Sequence, residues 1–213
     1  NYKSALKKIG EIPGVKGCTP IIFREGLLST DDGFTQGVLI KGLDPATAET
    51  VSKLKDTIIS YGKSKDLSKL IGENSNESAS ILVGRDIARD LYLDVGSEVS
   101  IMAPSGEITP FGNYPRIKRF KISGIFQSGM WEYDSKFIYI NLKEAQKFFA
   151  MGDIVNSIEV DLTDISKTRA ITKEIRDKFN YQYIVKDWTE LHGSLFSALK
   201  LEKTVMFVIL TMI

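Results

Sequence analysis

The chain has one cysteine, one histidine and almost no net charge. The single Cys18 excludes an internal disulfide and any multi-cysteine metal site. Lys plus Arg is 28 and Asp plus Glu is 27, so no global field draws in nucleic acid or anionic lipid. The lone histidine, His192, lies beside Glu190 at a helix start and reads as a surface or interface residue, not a catalytic base. No Gly-Lys-Ser/Thr phosphate loop occurs, and Gly10, Gly14 and Gly17 lack the strand-turn-helix setting of a dinucleotide fingerprint. There is no zinc spacing and no Gly-x-Ser-x-Gly elbow. Asp31-Asp32-Gly33 reads as a turn, because calcium would need further oxygens. These absences imply no catalytic residue, no metal and no cofactor. Function is expected in binding, transmission or positioning. The opening Asn-Tyr-Lys-Ser-Ala-Leu-Lys-Lys has no apolar core stretch, so the targeting segment of an exported protein would lie upstream of Asn1.

What is present is a folded composition, 43% hydrophobic and 26% charged over 213 residues, which argues against disorder. The most apolar stretch is the last. Leu195, Phe196 and Leu199 share one helical face, then ten residues from Thr204 to Ile213 carry no charge and no turn former. That is about half of the roughly 20 residues needed to cross a bilayer. The run is apolar on all sides and follows Lys200, Glu202 and Lys203, as a helix passing an interface would be. It reads as the beginning of a membrane helix; a buried terminal helix is the other reading.

The pattern upstream predicts α+β structure with small sheets. A helix is expected over residues 2–9, then strands Val15 to Leu28 and Phe34 to Ile40 joined by the turn Ser29–Gly33. Asp44 and Pro45 predict a helix start, with Val51, Leu54, Ile58 and Ile59 at helical spacing. Gly62 to Ser78 is polar and reads as a linker and domain boundary. Strands are expected at Ser80–Gly84, Glu98–Met102, Arg119–Phe126, Lys136–Ile140, Ser157–Leu162 and Tyr181–Val185. Helices are expected over Arg85–Leu91, from the cap Asn141 to Phe149, and after Asp164 or Ser166 through Ile171, Ile175 and Phe179.

One connection stands apart. Residues 103–118 hold three prolines and two glycines in sixteen residues. A long structureless connection in a compact domain is usually functional or disordered. The prolines fix φ and remove donors. Phe111 and Tyr114 fall at its tip, flanked by Arg116, Lys118 and Arg119, which suits a binding anchor. The alternative folds the loop back on its own domain and buries both rings.

The approach to the apolar tail, Leu195-Phe196, Ala198-Leu199 and Glu202-Lys203 into Met206-Phe207, resembles the junction before the second membrane helix of the LolC/LolE permease family. These subunits belong to the lipoprotein-releasing ABC transporter and share architecture with the MacB and FtsX permeases. The resemblance extends to Gly37-Val-Leu-Ile-Lys-Gly42 before Asp44-Pro45, and from Val83-Gly84 through Gly96 to Met102. Thr109-Pro110-Phe111-Gly112, Pro115, Phe120 and Gly124 match the LolC pattern in order and spacing. There a protruding hairpin, the hook, enters the chaperone LolA. One arginine of the pad beside that hook corresponds to Lys118; another falls near Ser100, where this chain has no charge.

The resemblance implies a MacB-like periplasmic domain. A porter-like α/β part would comprise residues 1–78 and 152–195. An inserted, mainly β sabre-like part would span 79–151 and carry the hook at 103–118. Residues 196–213 would begin transmembrane helix 2. The implied partner-binding residues are Thr109, Pro110, Phe111, Gly112, Asn113, Tyr114, Pro115, Arg116 and Lys118. The implied partners are a LolA-like chaperone, a LolD-like ATPase that hydrolyses the ATP, a second LolC/LolE-like permease subunit and lipoprotein cargo, with no nucleic acid. The implied location is the inner membrane of a Gram-negative bacterium, with the domain facing the periplasm. A MacB- or FtsX-like mechanotransmission domain acting on another partner is the alternative. A soluble enzyme with a buried C-terminal helix is a third reading.

Overall fold

A computed structural model of the chain describes residues 1–62, 64–72, 79–109, 112–191 and 193–212. Helix α1 (Tyr2–Gly10) starts where the Asn1 side chain accepts the Lys3 N–H, and it buries Ala5 and Ile9. Strands β1 (Val15–Thr30) and β2 (Thr35–Leu43) pair antiparallel from Ile21↔Leu43 to Ser29↔Thr35. Their turn needs Gly33 at φ +86°, as a glycine-bearing turn between strands suggests. Helix α2 (Pro45–Val51) begins at Asp44, whose carboxylate accepts the Ala46 N–H at 3.1 Å.

The helix expected through Ile59 is broken. Ser52 is extended at φ −118°, ψ 138°, and its hydroxyl accepts the Leu54 N–H. A second short helix, α3 (Leu54–Thr57), follows, and Ile58–Tyr61 forms strand β3 instead. The β-branched Ile58 and Ile59 gain more from a strand partner than from another helical turn, because local periodicity yields to pairing across the fold. The linker expected at Gly62 to Ser78 also holds structure. Asp66 caps helix α4 (Leu67–Leu70), and Leu67, Leu70 and Ile71 are buried. Three apolar residues in a polar stretch leave too weak a periodicity to read.

Strand β4 (Ala79–Gly84) leads into α5 (Arg85–Asp90), which turns Ile87 and Ala88 inward. Then come β5 (Glu98–Thr109), β6 (Gly112–Phe126), the single turn α6 (Trp131–Asp134) and β7 (Phe137–Asn141). Asn141 caps α7 (Leu142–Phe148) as expected, and β8 (Ser157–Leu162) follows. A 3-10 turn at Ile165–Lys167, capped by Asp164, precedes α8 (Thr168–Lys178). Helices α9 (Trp188–Leu191) and α10 (Gly193–Met212) end the chain.

The fold is α+β, but the strands build one eight-stranded mixed sheet where small separate sheets were expected. Strand β1 pairs with β2 on one side and with β5 on the other. The ladders β2-β7-β4-β6-β5-β1 therefore close on themselves; β8 lies beside β1 and β3 beside β6. Closure hides the strand edges and turns alternate residues inward. Ile22, Leu28, Ile40, Ile81, Ile101, Phe120 and Ile138 fill one core with Ile87 of α5 and Phe148 of α7. Leu43, Leu82, Phe126 and Tyr139 point the other way and are covered by α2, α3 and α4. Alternate side chains of β4, Ile81 and Val83 against Leu82, serve the two cores.

The chain divides into two compact units, one of Asn1–Glu11 with Val15–Asp161, the other of Ile12–Gly14 with Leu162–Ile213. In the second unit Ile171 and Ile175 of α8 are buried. The strand expected at Tyr181–Val185 is absent. Asn180 and Tyr181 adopt left-handed φ of 48° and 57°, which ends any extended run, and Tyr181, Tyr183 and Ile184 are exposed. Every described side chain from Ser197 to Met212 is exposed as well. Among the described residues no helix is long and apolar enough to cross a membrane. His192 lies outside the described residues.

Candidate partner-binding site

The proline-bearing connection at 103–118 is not an irregular loop. It is the outer half of a β-hairpin, with β5 and β6 in register from Glu98↔Lys121 to Ala103↔Arg116, and again from Glu107↔Tyr114 to Thr109↔Gly112. Pro104, Ser105 and Gly106 stand opposite Pro115 alone, so two extra residues bulge from β5. A bulge accommodates two facing prolines that cannot donate to a ladder. This is why turn-forming composition concealed a strand pair.

Neighbouring strands hold only the hairpin's root. β1 pairs with β5 over Val99 to Met102, and β4 pairs with β6 from Phe120 onward. From Ala103 to Thr109 the ribbon's only strand partner among the described residues is its own second strand. At about 3.4 Å per residue those seven residues reach roughly 20 Å. Pro110 and Phe111 lie outside the described residues. Of Thr109, Gly112 and Asn113 the backbone alone is described. Tyr114 is 61% exposed, and Pro115 is exposed beside it. The reading that buried the tyrosine ring against its own domain does not hold.

Alternation along β6 sorts the flanking residues. Phe120 points into the core, so Lys118, Arg116 and Tyr114 share its side of the strand, while Pro115, Ile117 and Arg119 share the other. Ile117, which the sequence reading passed over, is 61% exposed and lies in line with Met102 and Leu27 across three strands. Period-two counting back from Phe120 would have placed it outward.

The cations are committed to neighbours on the chain itself. Lys118 is ion-paired and hydrogen-bonded to Glu144 on α7, and its ammonium lies 5.5 Å from the Phe120 ring centre. Glu144 also receives Lys147 at 3.1 Å. Arg119 reaches Asp31 at 3.3 Å and Glu98 at 3.8 Å. Arg116 is half-buried. The hairpin therefore presents Tyr114, Pro115 and Ile117 as its exposed apolar surface, and Lys118 stiffens the root by tying it to α7.

Burial raises the Glu144 carboxyl, but the hydrogen bonds and charges of Lys118 and Lys147 outweigh it and hold the group below its usual 4.5. A carboxylate depressed by folding contributes stability above its unfolded value and loses it as pH falls through the folded one. Glu144→Gln should cost about 1–2 kcal/mol at pH 7, the scale of a charge-assisted hydrogen bond. The difference should shrink at a pH well below the usual carboxylate range, where the group is protonated in both states. Urea unfolding of both proteins at the two pH values measures it; an equal gap at both would contradict the assignment.

The model of the MacB-like periplasmic core domain matches residues 2–178. The chain belongs to the MacB-like periplasmic core domain family. Its curated relatives include the "lipoprotein-releasing system transmembrane protein LolC" of Xylella fastidiosa (strain 9a5c), 32% identical over 201 residues, covering 94% of this chain and 46% of that protein. The LolC protein of Neisseria meningitidis serogroup B is 28% identical over 214 residues, covering 100% of this chain and 49% of that one. This MacB-like domain thus spans about half the length of the curated relatives it matches. Among solved structures, the periplasmic region of MacB from Actinobacillus actinomycetemcomitans superposes with a TM-score of 0.54 at 9% identity, covering 91% of this chain and 81% of that one. The extracellular domain of the noncanonic ABC-type transporter YknZ from Gram-positive bacteria gives 0.53 at 11% identity, over 84% and 83%. At such identities these two share the fold of the MacB-like domain.

Proposed function

We propose that the chain is the periplasmic domain of an ABC transporter permease that releases lipoproteins from the inner membrane and recruits a LolA-type chaperone through the β5–β6 hairpin. The observation that carries this reading is a two-stranded ribbon, held at its root and presenting Tyr114 and Pro115 at its outer end, in a chain similar to LolC proteins over nearly its whole length. Rigid exposed aromatic groups make good anchors because little side-chain entropy is lost on binding. Thr109 to Pro115 insert into the chaperone, and Arg116 and Lys118 support them from the root. ATP is hydrolysed on a separate LolD-like subunit, a second LolC/LolE-like permease completes the transporter, and lipoprotein is the cargo. Residues 1–78 and 152–195 act as the porter-like part, 79–151 as the sabre-like part, and 196–213 begin transmembrane helix 2 in the inner membrane of a Gram-negative bacterium.

The test is capture of a LolA-type chaperone by the full-length permease. Deleting Thr109 to Pro115 should abolish capture, and Tyr114→Ala should weaken it roughly 30-fold, about 2 kcal/mol for an anchor residue. Unchanged capture by the deletion variant would exclude recruitment through the hairpin. It would favour the alternative of a mechanotransmission domain acting on a different periplasmic partner.

A further inference from the structure

An open groove of about 370 Å³ runs between β3 and α5. Ala88, Leu93 and Ile125 form its buried floor, and Ile59 and Tyr92 form walls that are 51% and 87% exposed. Its two ends carry opposite charges. Gly84 pairs with Phe126 and Phe126 with Ile58, so Arg85 stands level with the start of β3. A Cβ on Gly62 would lie 3.8 Å from the Val95 side chain, so Asp94 stands level with the end of β3. Both charged residues are exposed, and neither has an ion-pair partner among the described residues. Arg89, between them, is already paired with Asp86 and Asp90, each at 2.9 Å.

The strand side of the groove is open to pairing. β3 lies off the closed ladder path, and its one strand partner among the described residues is β6. Tyr61 pairs with Gly124, and the Gly62 N–H beyond it donates to the Ser123 carbonyl at 3.3 Å. The Tyr61 N–H and carbonyl therefore face away from β6. Ile59, Ser60 and Tyr61 are exposed, which leaves an edge that a further strand can extend. On the helix side, Tyr92 holds a position where glycine would serve the fold better. Its N–H donates to the Arg89 carbonyl at 3.3 Å and the Leu93 N–H to the Ala88 carbonyl at 2.7 Å, the two bonds that close a helix through a left-handed residue. Its φ is 54°, strained for a bulky side chain, and the exposed ring returns nothing to the fold. Strain of this kind gathers at ligand-binding positions.

We propose that this groove binds a short extended segment of a partner protein, which adds a strand to the edge of β3. The segment places an apolar side chain between Ile59 and Tyr92, a carboxylate at Arg85 and a cation at Asp94. A strand edge needs backbone donors and acceptors in a row, which an extended chain supplies. From Ile58 to Gly62 is four steps, about 14 Å, so five residues fill the groove. A contact of that length falls short of the roughly 1,200 Å² that a stable pair of folded proteins buries, which favours a segment over a second copy of the chain. The opposite charges at the two ends set its register. The groove lies at the end of β6 remote from the hairpin, so the proposal does not rest on the recruitment reading.

The test uses the full-length protein and the peptide Glu-Thr-Val-Thr-Lys, amidated at one end and fluorescently labelled at the other. Its first, third and fifth side chains share one face. Saturable binding is expected, and Lys-Thr-Val-Thr-Lys should bind roughly tenfold more weakly. Arg85→Glu, at an exposed position, should invert that preference. Tyr92→Gly should weaken binding of the first peptide roughly tenfold, yet leave the melting temperature equal or higher, because glycine relaxes the left-handed site. Amide exchange at Tyr61 should slow as the peptide saturates. Absence of saturable binding, or the same ratio between the two peptides in the parent and in Arg85→Glu, would overturn the proposal. Unchanged exchange at Tyr61 would overturn strand addition, and a lower melting temperature in Tyr92→Gly would return that ring to the fold. Cross-linking between copies through Ser60→Cys, on a Cys18→Ala background and without peptide, would give the edge to a second copy and overturn the proposal as well.

Discussion

Phe120→Ala should destabilise the protein by about 3–5 kcal/mol, the range for truncating a fully buried phenylalanine. The ring is 0% exposed and meets Phe148 of α7 edge-on at 5.9 Å. Its backbone pairs with Val99 in β5 and with Ala79 in β4. Phe120 is also the first residue of β6 held by strands on both sides, so a cavity there opens at the root of the hairpin. The Lys118 ammonium loses its aromatic neighbour in the same step. Two measurements follow. Urea unfolding should show the loss of stability, and amide exchange should speed up along Ala103 to Arg116 more than in β4 or β7. A loss under about 1 kcal/mol would mean that the site collapses around the missing ring and that the root is less tightly packed than these contacts imply.

Gly84→Ala should cost about 2–3 kcal/mol by overpacking. The backbone at Gly84 is ordinary, with φ −65° and ψ 148°, so alanine meets no conformational objection there. The objection is steric. An added Cβ would overlap the carbonyl oxygen of Asp134. That carbonyl has little room to withdraw, because the Asp134 side chain is buried and accepts the Ser128 N–H at 2.7 Å, the Ser128 hydroxyl at 2.8 Å and the Gly129 N–H at 3.1 Å. Either β4 shifts against its neighbours or the turn carrying α6 gives up those bonds. Gly37→Ala is the control. Its Cβ would meet nothing within 4 Å, so its effect should stay within about 0.5 kcal/mol. Equal effects of the two substitutions would contradict the steric account.

These two sites also show what was legible in advance. The inward turn of Phe120 could be read from alternation with Ile122, because side-chain direction in a strand depends only on the count of residues. The overlap at Gly84 could not, since nothing in Val83-Gly84-Arg85 points to a carbonyl fifty residues later. The same division runs through the partner site. Tyr114 at an exposed end was an expectation from proline-rich composition. Lys118 and Arg119 looked like available cations, whereas Glu144, Asp31 and Glu98, distant in sequence, occupy them.

By itself the sequence determined the features that close within a few residues. These are the caps at Asp44 and Asn141, the glycine turn at Gly33, the inward turn of Phe120 and Ile122, the buried face of α8 and the apolar end of α10. Hydrogen bonds from a side chain to the next turn, and periods of two or 3.6, need no knowledge of the rest of the chain. Only the tertiary structure decided the features that depend on distant partners. It made Ile58 a strand residue, buried α4 inside a polar stretch, closed the ladders through β1, and turned a proline-rich connection into a hairpin. In each case the deciding energy is a pairing or burial between residues far apart in the chain, and local composition carries no record of it.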